Sequence, residues 1–245
     1  MCTVQTALRH RLGLPVLPLN APIVQCSCRA TLHHSDTDHT MGCRALAAQL
    51  TLRHDILKGI LPRAVQRASI ASALKPPLCR LFGLADGSGT SADGSVTHFE
   101  GDILLVLPRG IAIADVSVVH PHSTQLLQRA AMTAGAAASH RDQQKRTAYA
   151  RLESNGYEFV PAFVESYGRL SQPAMKLLHT LGEEAAGPGG ILRASFVEGA
   201  LRELSVGLVR ANYFLYQASV GMLARASGAC FRPGLARPMD DACAD

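Results

Sequence analysis

The sequence has no run of about 18 apolar residues, so it offers no candidate membrane span. No early apolar segment has the form of a signal peptide, and there is no internal repeat to suggest a solenoid or a propeller. A disulfide framework is also missing. The seven cysteines, Cys2, Cys26, Cys28, Cys43, Cys79, Cys230 and Cys243, are odd in number and unevenly spaced. That pattern points to a reducing, intracellular compartment. Charge is sparse at 18%, with a net +5 carried mostly by arginine. Such an excess suits phosphate contacts but is too mild to establish nucleic-acid binding. The 245 residues, 47% hydrophobic, suffice for one good core with a small appendage.

What the sequence does contain centres on residues 101–121. Two apolar runs of strand length, Ile103–Leu107 and Ile111–Val119, flank Pro108-Arg109-Gly110, a turn signal. Both runs are apolar at nearly every position, as suits strands covered on both faces. Asp102 stands at the mouth of the first and Asp115 lies inside the second. An unpaired buried carboxylate costs several kcal/mol, so Asp115 requires a partner, a metal or water. A four-residue loop, Leu107 to Gly110, sets Asp102 directly across from Asp115 on the same face. A three-residue loop would set them on opposite faces. The first register is adopted here; it creates a site for a hard divalent cation such as Mg²⁺.

Elsewhere the pattern is mainly helical. Helices are predicted over Cys43–Ile60, Arg63–Leu74, Thr124–Leu152 with a break near Gly135, Pro173–Ala185 and Ile191–Ser227. A third strand, Tyr157–Val164, bends at Pro161, and Phe82–Gly101 reads as a mobile loop. The expected fold is α+β: a small mixed sheet of a β-hairpin and a third strand, flanked by helices. Three segments are expected, an N-terminal segment over 1–45, the main domain over 46–231 and a disordered tail over 232–245.

Cys26, Cys28, His39 and Cys43 fall within 18 residues, with His39 and Cys43 one helical turn apart. They can close round one structural, tetrahedral Zn²⁺. The alternative is a set of unliganded cysteines in a loop, and His33 or His34 could substitute for a ligand. Arg141, Lys145 and Tyr149 lie at i, i+4 and i+8 and project from one helix face. If that face meets the hairpin, Lys145 reaches the aspartates; otherwise the face is solvated. Arg53-His54-Asp55 either binds phosphate or decorates a surface. Glu165 either adds a carboxylate or caps a turn.

Taken in order, these segments resemble the C-terminal part of a non-LTR (LINE-like) retrotransposon polyprotein. That region carries a zinc knuckle and a restriction-like endonuclease of the PD-(D/E)xK superfamily. The resemblance implies a restriction-endonuclease-like fold preceded by a knuckle of Cys26, Cys28, His39 and Cys43. It implies Asp102 and Asp115 as Mg²⁺ ligands and catalytic acids, Lys145 as the family's lysine moved onto the following helix, and Tyr149 as its tyrosine. Arg53, His54 and Arg141 would contact nucleic acid. The implied activity is nicking of target DNA to prime reverse transcription of element RNA, in the nucleus and with no membrane partner. An active copy and a catalytically dead, nucleic-acid-binding remnant both remain open.

The sequence departs from the family's pattern in four ways. Gly101 replaces a proline, Ala114 adds a residue before Asp115, the Cys-x-Cys spacing is short, and the polymerase segment expected before the knuckle is not among residues 1–25.

Overall fold

The computed structural model describes Arg9, Leu14 and residues 24–26, 28–32, 38–76, 78, 88–90, 96–98, 101–123, 126–187 and 190–226. The chain opens with a short hairpin, β1 (Val24–Gln25) and β2 (Thr31–Leu32). Then come α1 (His39–Gly42), a 3-10 turn over Arg44–Leu46, α2 (Ala47–Lys58) and α3 (Ile60–Arg67). Strands β3 (Ser72–Leu74), β4 (Ser88–Thr90), β5 (Val96–His98), β6 (Ile103–Leu107) and β7 (Gly110–Val119) follow. Helices α4 (Leu127–Met132) and α5 (Ala136–Ser154) lead to β8 (Glu158–Glu165), α6 (Gln172–Ala185) and α7 (Arg193–Ala226).

Four strands form the principal sheet in the order β3-β6-β7-β8. β6 runs antiparallel to both of its neighbours, β3 and β7, and β8 runs parallel to β7. A parallel neighbour needs a crossover connection, and α4 and α5 supply it. The expectation of an α+β fold with a mixed sheet flanked by helices therefore holds.

The sheet is covered on both faces, which explains its near-continuous apolar strands. Ile103, Leu105, Ala112, Ala114, Val116, Val160 and Val164 join one core with α2, α3, α6 and α7. On the other face Ile113 and Phe159 pack with Leu78 and with Tyr149 and Leu152 of α5. Alternation along β7 thus sends Asp115 to the α5 face, in step with Ile113. The N-terminal segment has its own small core, in which Cys26, Met41, Cys43 and Leu46 pack on Leu215 and Tyr216 of α7.

Two local expectations need correction. Ser72–Leu74 is not helical: α3 ends at Arg67, Ser69 adopts φ +55°, and the chain turns into an edge strand paired with β6. The segment read as a mobile loop carries the β4–β5 hairpin, paired through Ser88↔His98 and Thr90↔Val96. The expected tail over 232–245 lies outside the described residues, as do His33 and His34. Gly135, at φ +82°, makes the predicted break between α4 and α5.

Gly101 also has a steric explanation. A Cβ placed there would overlap Ile113 Cγ2 across the hairpin, so a proline at this position has no room. Gly101→Ala is expected to cost about 1–3 kcal/mol, as overpacking does, and chemical denaturation measures it.

Candidate functional site

The hairpin places its two acids opposite each other. Leu107 pairs with Gly110, Val106 with Ile111, and so on to Ile103 with Ala114. Continued by one residue, this register brings Asp102 opposite Asp115. Both are buried, at 7% and 6% exposure. Beyond Ala114, β7 outruns β6, and its backbone needs other partners. Asp102 Oδ2 accepts the Val116 N–H at 2.7 Å. His54 of α2 donates through Nε2 to the Val116 carbonyl at 2.9 Å. Asp102 and His54 together therefore complete the ladder where β6 stops.

Lys58, one turn after His54 on α2, forms an ion pair with Asp102 Oδ1, and His54 Nε2 stands 3.8 Å from Oδ2. Asp102 is thus engaged through both oxygens. Asp115 is not. Its Oδ1 accepts from Lys145 of α5 at 3.1 Å, while Oδ2 is buried with no hydrogen-bond partner. Burial raises the Asp115 pKa above the ordinary carboxylate value, Lys145 opposes the rise, and the neighbouring Asp102 charge adds to it. The two acids therefore feel each other's charge.

A raised folded-state pKa favours the protonated form. The folded protein carries the cost of an ionised Asp115 at neutral pH and is relieved of it below the unfolded-state pKa of about 3.9. Asp115→Asn is accordingly expected to raise the thermal midpoint of the metal-free protein at pH 7. The gain should shrink as pH falls toward 4; scanning calorimetry across that range checks it.

Lys145 is itself braced. Its ammonium lies 5.6 Å from the Tyr149 ring centroid, and that buried ring stacks on Phe159 at 4.4 Å. Of the face predicted on α5, Arg141 also contributes to the electrostatics of Asp115. Beside the acid pair a cleft of about 400 Å³ is lined by His54, Ser117, His120, Ser123 and Arg141. Arg53 is part of its wall but is only 4% exposed. The Arg53 guanidinium donates to the Met41 carbonyl at 3.2 Å and approaches Asn212 Oδ1 at 3.5 Å. Burial lowers its pKa to about 10. Expected at a phosphate, Arg53 instead ties α1 to α7. Adjacent helical residues point about 100° apart, so Arg53 and His54 cannot share one direction.

The four predicted zinc ligands converge. One ligand atom from each of Cys26, Cys28, His39 and Cys43 lies within 4.8 Å of all the others. Cys26 Sγ is 3.5 Å from Cys43 Sγ, and Cys28 Sγ is 3.3 Å from His39 Nε2. Zinc bonds of about 2.0–2.3 Å at tetrahedral angles imply edges of roughly 3.5–3.8 Å. The group could therefore hold a metal ion such as zinc.

Local structure explains the short Cys-x-Cys spacing. Both cysteines sit in the β1–β2 loop, closed by Cys26 N–H to the Ala30 carbonyl at 2.8 Å, with Arg29 at φ +71°. Burial opposes ionisation of Cys28, but bonds from the Ala30 backbone and from Cys26 and Cys43 outweigh it and lower the pKa; burial pushes Cys43 up to about 12.

Two groups escaped the sequence reading. Lys58 was legible in principle, four residues after His54 on a predicted helix. The other lies at the carboxyl ends of β7 and β8, where His122 Nδ1 meets Asp38 Oδ2 at 2.6 Å and Tyr167 bonds Asp38 Oδ1. His120 Nδ1 meets Ser166 Oγ at 2.8 Å. Its signal was His120-Pro121-His122 closing a strand. Glu165 ends β8, buried, with Oε1 lacking a hydrogen-bond partner. Its backbone carbonyl accepts the Gly168 N–H at 2.7 Å and so closes the turn.

No protein-family model matches the chain, and no curated protein sequence is significantly similar to it. Among the described residues no helix is long and apolar enough to cross a membrane.

Proposed function

We propose that this chain is the endonuclease module of a non-LTR retrotransposon protein, a Mg²⁺-dependent enzyme that nicks DNA in the nucleus. The observation that carries the reading is the facing pair Asp102–Asp115 with Lys145 held on Asp115 Oδ1 at 3.1 Å. The orphaned, buried Oδ2 of Asp115 fits a cation: a desolvated oxygen without a donor is poised to accept a hard ion. Mg²⁺ held by Asp102 and Asp115 would supply Lewis-acid stabilisation of a phosphate and a nucleophilic hydroxide.

The chain's own groups do the rest. Lys145 presents an ammonium where negative charge develops on the scissile phosphate. Tyr149 backs that ammonium and, pinned against Phe159, fixes its height above the sheet. His54 and Arg141 line the cleft and contact the DNA backbone, an interaction that weakens steeply with salt. The Cys26–Cys28–His39–Cys43 group, closed by four protein ligands, is a structural zinc site that anchors the N-terminal segment on α7 and contributes to binding DNA or element RNA.

Relaxation of supercoiled plasmid in the presence of Mg²⁺, with a chelated control, tests the reading. Nicking that depends on the ion is expected, and none above the chelated control would overturn it. A second reading is a nucleic-acid-binding remnant without chemistry. The engagement of both Asp102 oxygens by Lys58 and the Val116 N–H favours it. Salt-dependent DNA binding without nicking would be its result.

A further inference from the structure

We propose that Lys58 is the resident counter-ion of Asp102, occupying the oxygen a divalent cation must take, so that ion binding at the acid pair requires Lys58 to let go. This rests on reading the acid pair as a metal site.

The two lysine–aspartate pairs are not equivalent. Asp115 keeps a buried oxygen, Oδ2, with no hydrogen-bond partner while Lys145 holds the other. A cation can join Asp115 without displacing Lys145. Asp102 has a donor on each oxygen. Its Oδ2 accepts the Val116 N–H, a bond that satisfies the β7 backbone where β6 stops. Its Oδ1 is held by Lys58. The pair is well sheltered, with the two side chains 19% and 10% exposed, so neither charge is fully screened by water.

The same ammonium also has a use without the ion. Two buried carboxylates on one face repel each other, and each holds a lysine that offsets the repulsion. Lys58 comes from α2 and Lys145 from α5, on separate elements. Release of Lys58 can therefore occur without moving the helix that carries Lys145. Lys58 is a positioning residue: it acts through Asp102 and sets the threshold concentration at which a divalent ion enters.

Manganese binding to the full-length, zinc-loaded protein, followed by electron paramagnetic resonance, tests this. Lys58→Gln keeps a hydrogen-bond donor for Asp102 and removes the charge. It is expected to bind manganese about tenfold tighter or more, because the ion no longer has to break a charged pair at Asp102 Oδ1. Lys58→Arg should bind like the wild type. In an Asp102→Asn background the Lys58→Gln change should have no effect on manganese affinity, as a double-mutant cycle requires of a coupled pair. Equal or weaker binding by Lys58→Gln overturns the proposal, as does an undiminished effect in Asp102→Asn.

The nuclease reading fails separately. Tighter manganese binding by Lys58→Gln with no plasmid nicking by the wild type leaves Lys58 as the counter-ion and removes the enzyme. Nicking by the wild type with unchanged affinity in Lys58→Gln does the reverse. Absence of manganese binding in wild type and variant alike overturns both.

Discussion

Asp115→Ala protein is expected to leave supercoiled plasmid intact, with nicking reduced roughly a thousandfold, the several kcal/mol that a metal's charge stabilisation supplies. The same substitution should not unfold the protein. Asp115 is buried, and its ionised form is disfavoured there by desolvation. Removing it takes away a cost as well as the Lys145 contact. Loss of activity with stability kept or raised separates a functional acid from a structural one, whose removal would lower both. Lys145→Met is expected to reduce nicking by about a hundredfold, the scale of one preorganised electrostatic contact, with DNA affinity little changed. Single-turnover nicking beside thermal melts gives both readouts on one preparation.

The second large effect concerns the Cys/His group. Cys43→Ser should lose its bound zinc and release residues 38–46 from α7. Cys43 is one of the four residues that could hold a metal and is also part of the small core with Met41, Leu46, Leu215 and Tyr216. That core holds few residues, so a zinc ion bound there would supply much of its order. A loss of roughly 3 kcal/mol or more is expected locally, in line with loss of a structural metal. Hydrogen exchange should show protection vanishing over 38–46 while β6 and β7 keep theirs. A full equivalent of zinc retained by Cys43→Ser, measured by elemental analysis, would contradict the assignment.

Much of the sheet was legible in advance because its signals are local. Pro108-Arg109-Gly110 between two apolar runs determines a hairpin. The turn then determines which residues face each other, and so the meeting of Asp102 with Asp115. Lys145 was legible for a similar reason, since a helix face can be read at i, i+4 and i+8. The side of the helix that meets the sheet was not. Arg53 shows the limit. Its burial against Met41 and Asn212 depends on α7, whose Asn212 lies 159 positions away along the chain. β3 was missed because three exposed residues carry no periodicity, and its partner β6 supplies the reason to be extended. The spacing of Lys58 from His54 puts the two on one helix face, but the role of Lys58 comes from Asp102, a carboxylate on another element.

Cys26, Cys28, His39 and Cys43 were readable as a cluster, but their geometry was not. The tight Cys-x-Cys spacing departs from the common pattern and argues against a site when read alone. The β1–β2 loop removes the objection by turning within five residues, Cys26 to Ala30, so that both sulfurs reach the same point.

The most direct test of the central claim is manganese located by anomalous diffraction in a crystal of the metal-soaked protein. The account predicts a peak at about 2.0–2.5 Å from a carboxylate oxygen of both Asp102 and Asp115, with Lys58 swung away and Lys145 in place. Density at the Cys26–Cys28–His39–Cys43 group alone, with Lys58 still on Asp102, would contradict it.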